Sequence, residues 1–217
     1  MNQADWTLYL VSNSDQMDED QFLQKIEWAL QAGVTLLQLR EKEKDGRALY
    51  ELALKVNAIA RAYQVPLLID DRLDVALAVG AAGVHVGRQD IPVAVARGLL
   101  GPDKLVGATA KTVEQALAAQ AAGADYLGVG AIYPTTTKVK TVPTSPATLK
   151  EICQAVRIPV IAIGGLNQGN LGVLRDSGCS GIAVVSAIMQ SADTAAAVKE
   201  LKTAAAAVLK GRGEKIC

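Results

Sequence analysis

Histidine is nearly absent from this 217-residue chain, with His85 its only representative. A zinc site built on histidines, or a Ser-His-Asp triad, has almost nothing to draw on. Cysteine is scarce too: Cys153, Cys179 and Cys217 lie far apart without metal-ligand spacing, which fits reduced thiols better than a disulfide framework. Neither sign of charge is in excess, since Lys+Arg and Asp+Glu each number 22. A nucleic-acid binder normally carries a basic surplus, so no such partner is expected. No apolar run reaches the ~18 residues of a membrane span, because charges or glycines interrupt each one. The opening MNQADW has neither the basic nor the apolar region of a signal peptide. These absences predict a cytoplasmic protein with no membrane partner, and they leave homo-oligomerisation open. Aromatics are few (one Phe, two Trp, five Tyr) against 36 alanines, which predicts slim, closely packed helices.

What is present is a regular alternation. Short apolar runs stand at 7–12, 34–40, 66–70, 83–86, 104–108, 126–130, 159–165 and 181–186. They are rich in Val, Ile and Leu without strict alternation, the pattern of parallel strands buried on both faces. Helical stretches are predicted between them at 20–32, 46–63, 112–122, 147–156, 167–177 and 191–209, with shorter ones after the third and fourth runs. In the first, Phe22, Ile26 and Leu30 keep helical spacing and Gly33 follows as a stop. Eight βα units with no linker predict an α/β fold: one compact (β/α)8 TIM barrel over 1–217, its core at about 7–209. A doubly wound sheet rarely runs to eight strands so evenly spaced. The irregular stretch 131–146 is the one long loop, and loops of that length tend to be functional.

Barrel active sites lie at the carboxyl ends of the strands. The groups expected there are Gln38, Arg40 and Lys42 after the second strand, Asp70 and Asp71 after the third, and Asp90 after the fourth. Thr109 and Lys111 follow the fifth, Thr135, Thr136, Thr137 and Lys138 the sixth, Gly164 and Gly165 the seventh, and Val185 and Ser186 the eighth. The chemistry they suggest is that of phosphates. A threonine triplet with a lysine offers hydroxyls, amides and a point charge to an anion. Gly165 and Ser186 fall where these barrels commonly bind phosphate, with bare amides at short helix starts. Asp71 and Asp90, from neighbouring strand ends, make a reasonable Mg²⁺ site. Two anion sites and a metal imply two phosphorylated small-molecule substrates, one a diphosphate. Duller readings exist for each: a Gly-Gly turn, Asp70 or Asp71 capping the third helix, a solvated charge run at Glu41, Lys42 and Glu43, and His85 as a hydrogen-bonded core residue. Gln38 and Arg40, at alternate positions of an apolar strand, both point into the barrel, where they are costly without partners.

Taken together, QLREK (38–42), DDRLDVALAVGAAGVHVGRQD (70–90), GADYLGVGAIYPTTTK (123–138), AIGGL (162–166) and VVSAI (184–188) resemble the thiamine-phosphate synthase family over nearly the whole chain. The resemblance implies a transferase that condenses 4-amino-2-methyl-5-hydroxymethylpyrimidine diphosphate with 4-methyl-5-(2-phosphoethyl)thiazole, or its carboxylated form. The products are thiamine phosphate and pyrophosphate, by a dissociative Mg²⁺-assisted route through a pyrimidine carbocation. It implies that the segment Gln38, Leu39, Arg40, Glu41 and Lys42 contacts the pyrimidine diphosphate, Arg40 and Lys42 on phosphate. Asp71 and Asp90 hold Mg²⁺. Thr109 stands where the family has a serine near the pyrophosphate. Thr135, Thr136 and Thr137 contact the thiazole substrate and Lys138 the diphosphate. Gly165, Val185 and Ser186 take the thiazole's phosphate. Arg40, Lys138 and Thr109 are the implied catalytic groups.

The chain departs from the family pattern at Asp70, where an asparagine is usual. An amide both donates to and accepts from an aminopyrimidine, whereas a carboxylate only accepts. Thr136 also replaces a common proline, and no acidic residue closely follows Lys138. Two alternatives accompany the synthase reading. A thiazole tautomerase shares the fold, but its catalytic histidine would fall at Lys111. A catalytically silent barrel that binds thiamine precursors is the other.

Overall fold

Eight short parallel strands close on themselves in chain order in the computed structural model, which describes residues 4–15, 17–135 and 143–209. They are β1 Leu8–Ser12, β2 Leu36–Leu39, β3 Leu67–Asp70, β4 Gly83–Val86, β5 Leu105–Ala110, β6 Tyr126–Gly130, β7 Val160–Ile163 and β8 Gly181–Val184. β8 pairs back onto β1, with Leu10 opposite Val184, so no edge is left to pair elsewhere. The barrel is the (β/α)8 architecture expected from the eight apolar runs.

Around it run α1 Glu19–Ala32, α2 Gly46–Ala62, α3 Leu73–Ala78, α4 Val93–Leu100, α5 Val113–Ala121, α6 Pro146–Ala155, α7 Ser186–Met189 and α8 Thr194–Val208. Five of them start where a side-chain oxygen takes an orphan amide: Asp18, Asp45, Thr112, Ser145 and Asp193 each accept from the residue three places on. Each such cap is worth about 1 kcal/mol. Gly33 ends α1 at φ 112°, a left-handed turn that a side chain would resist.

The helix expected over 167–177 is a correction. Only a one-turn 3-10 helix forms there, Leu171–Leu174. Glycines at 169, 172 and 178 dilute helical propensity, and Asn167 and Asn170 spend their side chains on local backbone instead.

Burial divides into two shells. Between strands and helices lies a large apolar layer with Phe22, Ile26, Leu37, Leu39, Leu52 and Ile152 at its centre. Inside the barrel a smaller cluster holds Tyr9, Val11, Leu36, Leu68, Tyr126, Ile161 and Ala183. At the amino-terminal end of the barrel, Arg97 donates to the carbonyls of Gly123, Gly101 and Lys104 and pairs with Asp125, whose carboxylate also receives the Val106 amide. Cys153 and Cys179 are both buried, and Cys217 lies outside the described residues. No described helix is long and apolar enough to cross a membrane.

Candidate active site

β2, β3 and β4 carry most of the charge at the carboxyl-end mouth. The Lys42 ammonium lies 2.8 Å from Asp70 Oδ2 and also contacts Asp71, while Arg40 Nε lies 3.5 Å from Asp70 Oδ2. Asp70 is thus held between two cations. Burial would lower the Lys42 pKa, but its hydrogen bonds to Asp70 and Asp71 outweigh that and raise it. The capping reading is overturned: α3 begins at Leu73, its cap position is Arg72 and no side chain caps it, so both aspartates stay at the mouth.

Asp71 has φ 58°, a left-handed conformation that Asp tolerates better than most residues. It is fixed there because its amide donates to the His85 carbonyl at 2.8 Å. Asp90 folds back to accept the Gly87 amide at 2.9 Å and lies close enough to Asp71 for each carboxyl to shift the other. Burial and the neighbouring Asp71 raise the pKa of Asp90. For Asp71 burial is opposed by Lys42 and by Asp90, and the balance lies below the usual carboxylate range. Two neighbouring carboxylates, each a hard oxygen donor, suit a divalent cation that takes the rest of its shell from water and substrate phosphate. Among the described residues no group of three or more His, Cys, Asp or Glu is placed to hold a metal, so these two carboxylates fit Mg²⁺ rather than a fully caged ion.

The rest of the QLREK segment divides its work. Gln38 points inward, only 3% exposed, and donates to the Tyr9 hydroxyl at 2.6 Å. Leu39 packs outward into the helix layer, which leaves only its backbone for the mouth. Glu41 accepts from the Ser14 amide and hydroxyl, both at 2.7 Å, and burial raises its pKa. It thereby ties the β1–α1 loop to the mouth.

Across the barrel, after β7, Gly164 and Gly165 adopt φ 103° and 65°. A Cβ on Gly165 would lie 2.7 Å from Tyr133 Cβ and 2.8 Å from the Pro134 carbonyl oxygen. The Tyr133 amide donates to Gly164 at 3.0 Å, and Asn170 Nδ2 holds the Gly165 carbonyl at 2.8 Å. This bare backbone is clamped between the start of the β6 loop and the 3-10 turn. Val185 is half-buried and Ser186, the first residue of α7, is exposed. Thr135 is half-buried, and Thr136, Thr137 and Lys138 lie outside the described residues. Thr144 anchors the returning chain, its amide on Ala131 O at 2.8 Å and its hydroxyl on Gly130 O at 3.1 Å.

The structure brings Gln38, Arg40, Lys42, Asp70, Asp71, Asp90 and Thr109 to the carboxyl ends of β2–β5, across the barrel from Gly165, Val185 and Ser186, which follow β7 and β8. It also adds three residues that the strand-end inventory left out or read as core: Tyr9, Tyr126 and His85, in hydrogen-bonding distance of one another and of Gln38 and Thr109. A signal existed in Gly107 and Gly128, because glycines inside otherwise Val- and Leu-rich strands mark close approach.

A family model for thiamine monophosphate synthase matches residues 8–188. The thiamine-phosphate synthase of Lacticaseibacillus paracasei is 53% identical over 96% of this chain and 98% of its own length. Thiamine-phosphate synthase 2 of Streptococcus pneumoniae is 54% identical over 89% of this chain and 92% of its own. Among solved structures, thiamine phosphate pyrophosphorylase from Pyrococcus furiosus superposes with a TM-score of 0.85 at 36% identity, covering 95% of this chain and 98% of that one.

Proposed function

The chain belongs to the thiamine monophosphate synthase family, and from that premise we propose how its residues make thiamine phosphate. Two phosphorylated substrates meet in the mouth: the aminopyrimidine diphosphate over β2–β5, and the thiazole phosphate, with or without its carboxylate, against β7 and β8. The observation that carries the assignment is the division of that mouth. Cations and a carboxylate pair stand on one side, and bare, left-handed glycine backbone with a serine stands on the other.

The bond from the pyrimidine methylene carbon to the diphosphate oxygen breaks first, and its electron pair leaves with pyrophosphate. The thiazole nitrogen lone pair then forms the new carbon–nitrogen bond on the resulting cation; a carboxylated thiazole also loses CO2, and its ring carbon takes a proton from water. No proton has to be abstracted, which agrees with the lack of a strong base among the described residues of the mouth. Arg40 and Lys42 turn from Asp70 to the diphosphate oxygens, the Thr109 hydroxyl donates to them, and Lys138 receives the departing group. Gln38 and Asp70 orient the aminopyrimidine. Thr135, Thr136 and Thr137 position the thiazole, and Gly165, Val185 and Ser186 take its phosphate. Asp71 and Asp90 would hold Mg²⁺, which supplies positive charge to the leaving diphosphate. Positioning and electrostatic stabilisation account for the rate. Three scattered cysteines, which fit reduced thiols, support a cytoplasmic setting for the reaction.

The direct test follows pyrophosphate from the pyrimidine diphosphate, with and without thiazole phosphate, in Mg²⁺ and then in EDTA. Release that needs both partners, with thiamine phosphate as co-product, is expected. Silence from folded protein under every condition overturns the synthase reading, and full release in EDTA overturns the metal assignment alone.

Two substitutions probe the two sides separately. Asp70→Asn removes the carboxylate that occupies Arg40 and Lys42, so KM for the pyrimidine diphosphate is expected to fall about fivefold, the scale of a partly exposed ion pair. A rise in KM would instead show that the contact of Asp70 with the aminopyrimidine outweighs its hold on Arg40 and Lys42. Gly165→Ala forces a side chain onto a left-handed backbone already packed on Tyr133 and Pro134. KM for the thiazole phosphate is expected to rise about tenfold or more, with KM for the diphosphate changed less than about twofold. Initial-rate kinetics with each substrate varied in turn check both.

A further inference from the structure

Inside the barrel, just below the mouth, five side chains from five strands form one hydrogen-bonded line. Gln38 Nε2 on β2 donates to the Tyr9 hydroxyl on β1 at 2.6 Å. Tyr9 and Tyr126, on β1 and β6, join hydroxyl to hydroxyl at 2.9 Å. Tyr126 Oη lies 2.9 Å from His85 Nδ1 on β4, and His85 Nε2 lies 3.0 Å from Thr109 Oγ1 on β5. Both ends of the line are groups that the proposed function places on the pyrimidine diphosphate.

The direction of every proton in the line follows from its first link. An amide nitrogen can only donate, so the Tyr9 oxygen accepts from Gln38. Tyr9 then sends its own proton to Tyr126, since the reverse would strand a buried phenol proton. Among the described residues no fully buried side-chain nitrogen or oxygen lacks a partner. Tyr126, accepting from Tyr9, donates to His85 Nδ1. That leaves the histidine proton on Nε2, pointed at Thr109. Thr109 Oγ1 accepts it, and its own hydroxyl proton is free to serve an acceptor in the mouth. Both tyrosines stay protonated, because burial raises their pKa values well beyond the ordinary phenol range.

The strands make room for this line. A Cβ on Gly107 would lie 2.2 Å from Tyr126 Cζ and 2.3 Å from its hydroxyl, and a Cβ on Gly128 would lie 3.2 Å from His85 Cε1. Trp6, Tyr9 and His85 then pack around the Tyr126 ring with centroids 5.0, 5.9 and 5.6 Å away.

We propose that Tyr9, Tyr126 and His85 are positioning residues: a one-way hydrogen-bond relay that holds His85 as the Nε2–H tautomer, aims the Thr109 hydroxyl proton at the diphosphate, and commits the Gln38 amide nitrogen inward so that its carbonyl oxygen accepts from the aminopyrimidine. The proposal rests on the synthase reading for what Gln38 and Thr109 touch, but the tautomer it assigns does not need substrate.

His85 is the only histidine, so ¹⁵N-histidine labelling of untagged protein reports this ring alone. At about pH 8, above the ordinary imidazole range, Nδ1 is expected to show the shift of an unprotonated acceptor and Nε2 that of a protonated nitrogen. The opposite tautomer, an exchanging average or an imidazolium overturns the relay. Tyr126→Phe removes the donor to Nδ1: the single tautomer is expected to be lost and kcat to fall about tenfold. An unchanged tautomer and an unchanged kcat overturn the proposal. Tyr9→Phe cuts the line one link earlier, where Tyr126 can still donate to His85. The tautomer is expected to persist while KM for the pyrimidine diphosphate rises several-fold, since the Gln38 amide is released; loss of the tautomer in this variant would contradict the order of links. If wild-type protein made no thiamine phosphate, the synthase reading would fail while the tautomer arm still judged the relay.

Discussion

Asp71→Asn is expected to lower turnover at least about a hundredfold, the scale on which enzymes lose a group that stabilises charge developing in the transition state. The asparagine keeps the size of the side chain and tolerates the left-handed φ of 58° at this position. Alanine there would add backbone strain to the loss of the carboxylate and confuse the two. What disappears is one of the two hard oxygen donors at the mouth, along with one partner of Lys42. Lys42 keeps Asp70 at 2.8 Å, and the lost pair is partly exposed, so stability should change by no more than about 1 kcal/mol. In a chain of this size that is about 2–4 °C in melting temperature. The check is thiamine phosphate formation against Mg²⁺ concentration, with thermal melts alongside. A normal rate with a normal Mg²⁺ dependence removes Asp71 from the metal site.

Gly107→Ala is expected to have the largest effect on the fold. The added methyl falls 2.2–2.4 Å from three atoms of the Tyr126 ring, and that ring is fully buried. It cannot slide, because Trp6, Tyr9 and His85 surround it and its hydroxyl is tied at both sides. Overpacking of this kind costs about 1–3 kcal/mol. The melting temperature should therefore drop by up to roughly 10 °C. Tyr126→Phe in the same chain is not expected to restore it, since the ring carbons Cζ and Cε1 clash as well as the hydroxyl. A Gly107→Ala protein that melts like wild type would show that the β5–β6 interior has slack the packing does not suggest.

Much of this molecule was legible before any coordinate. The eight apolar runs became eight strands with ends shifted by no more than two residues at most positions, because parallel strands buried on both faces leave a continuous hydrophobic signature. The strand-end inventory placed Arg40, Lys42, Asp70, Asp71, Asp90 and Thr109 at one mouth, because βα topology sends every strand's carboxyl end the same way. The segment 167–177 was misjudged for a local reason: its apolar spacing reads as helical, but glycine and asparagine there favour turns.

The sequence by itself therefore determined the barrel, the end of it that works, and the residue types that face two phosphates. Only the tertiary structure decided how those residues pair. Asp70 turned out to occupy both cations, Glu41 to serve Ser14, and Leu39 to face the helices. The interior relay was beyond reach of pattern, since Gln38 finds Tyr9 across 29 positions and Tyr9 finds Tyr126 across 117. Periodicity reports which face of a strand is buried; it carries no record of which buried hydroxyl meets which. That pairing is set by barrel closure and by the space that Gly107 and Gly128 leave open, and both exist only once all eight strands are in register.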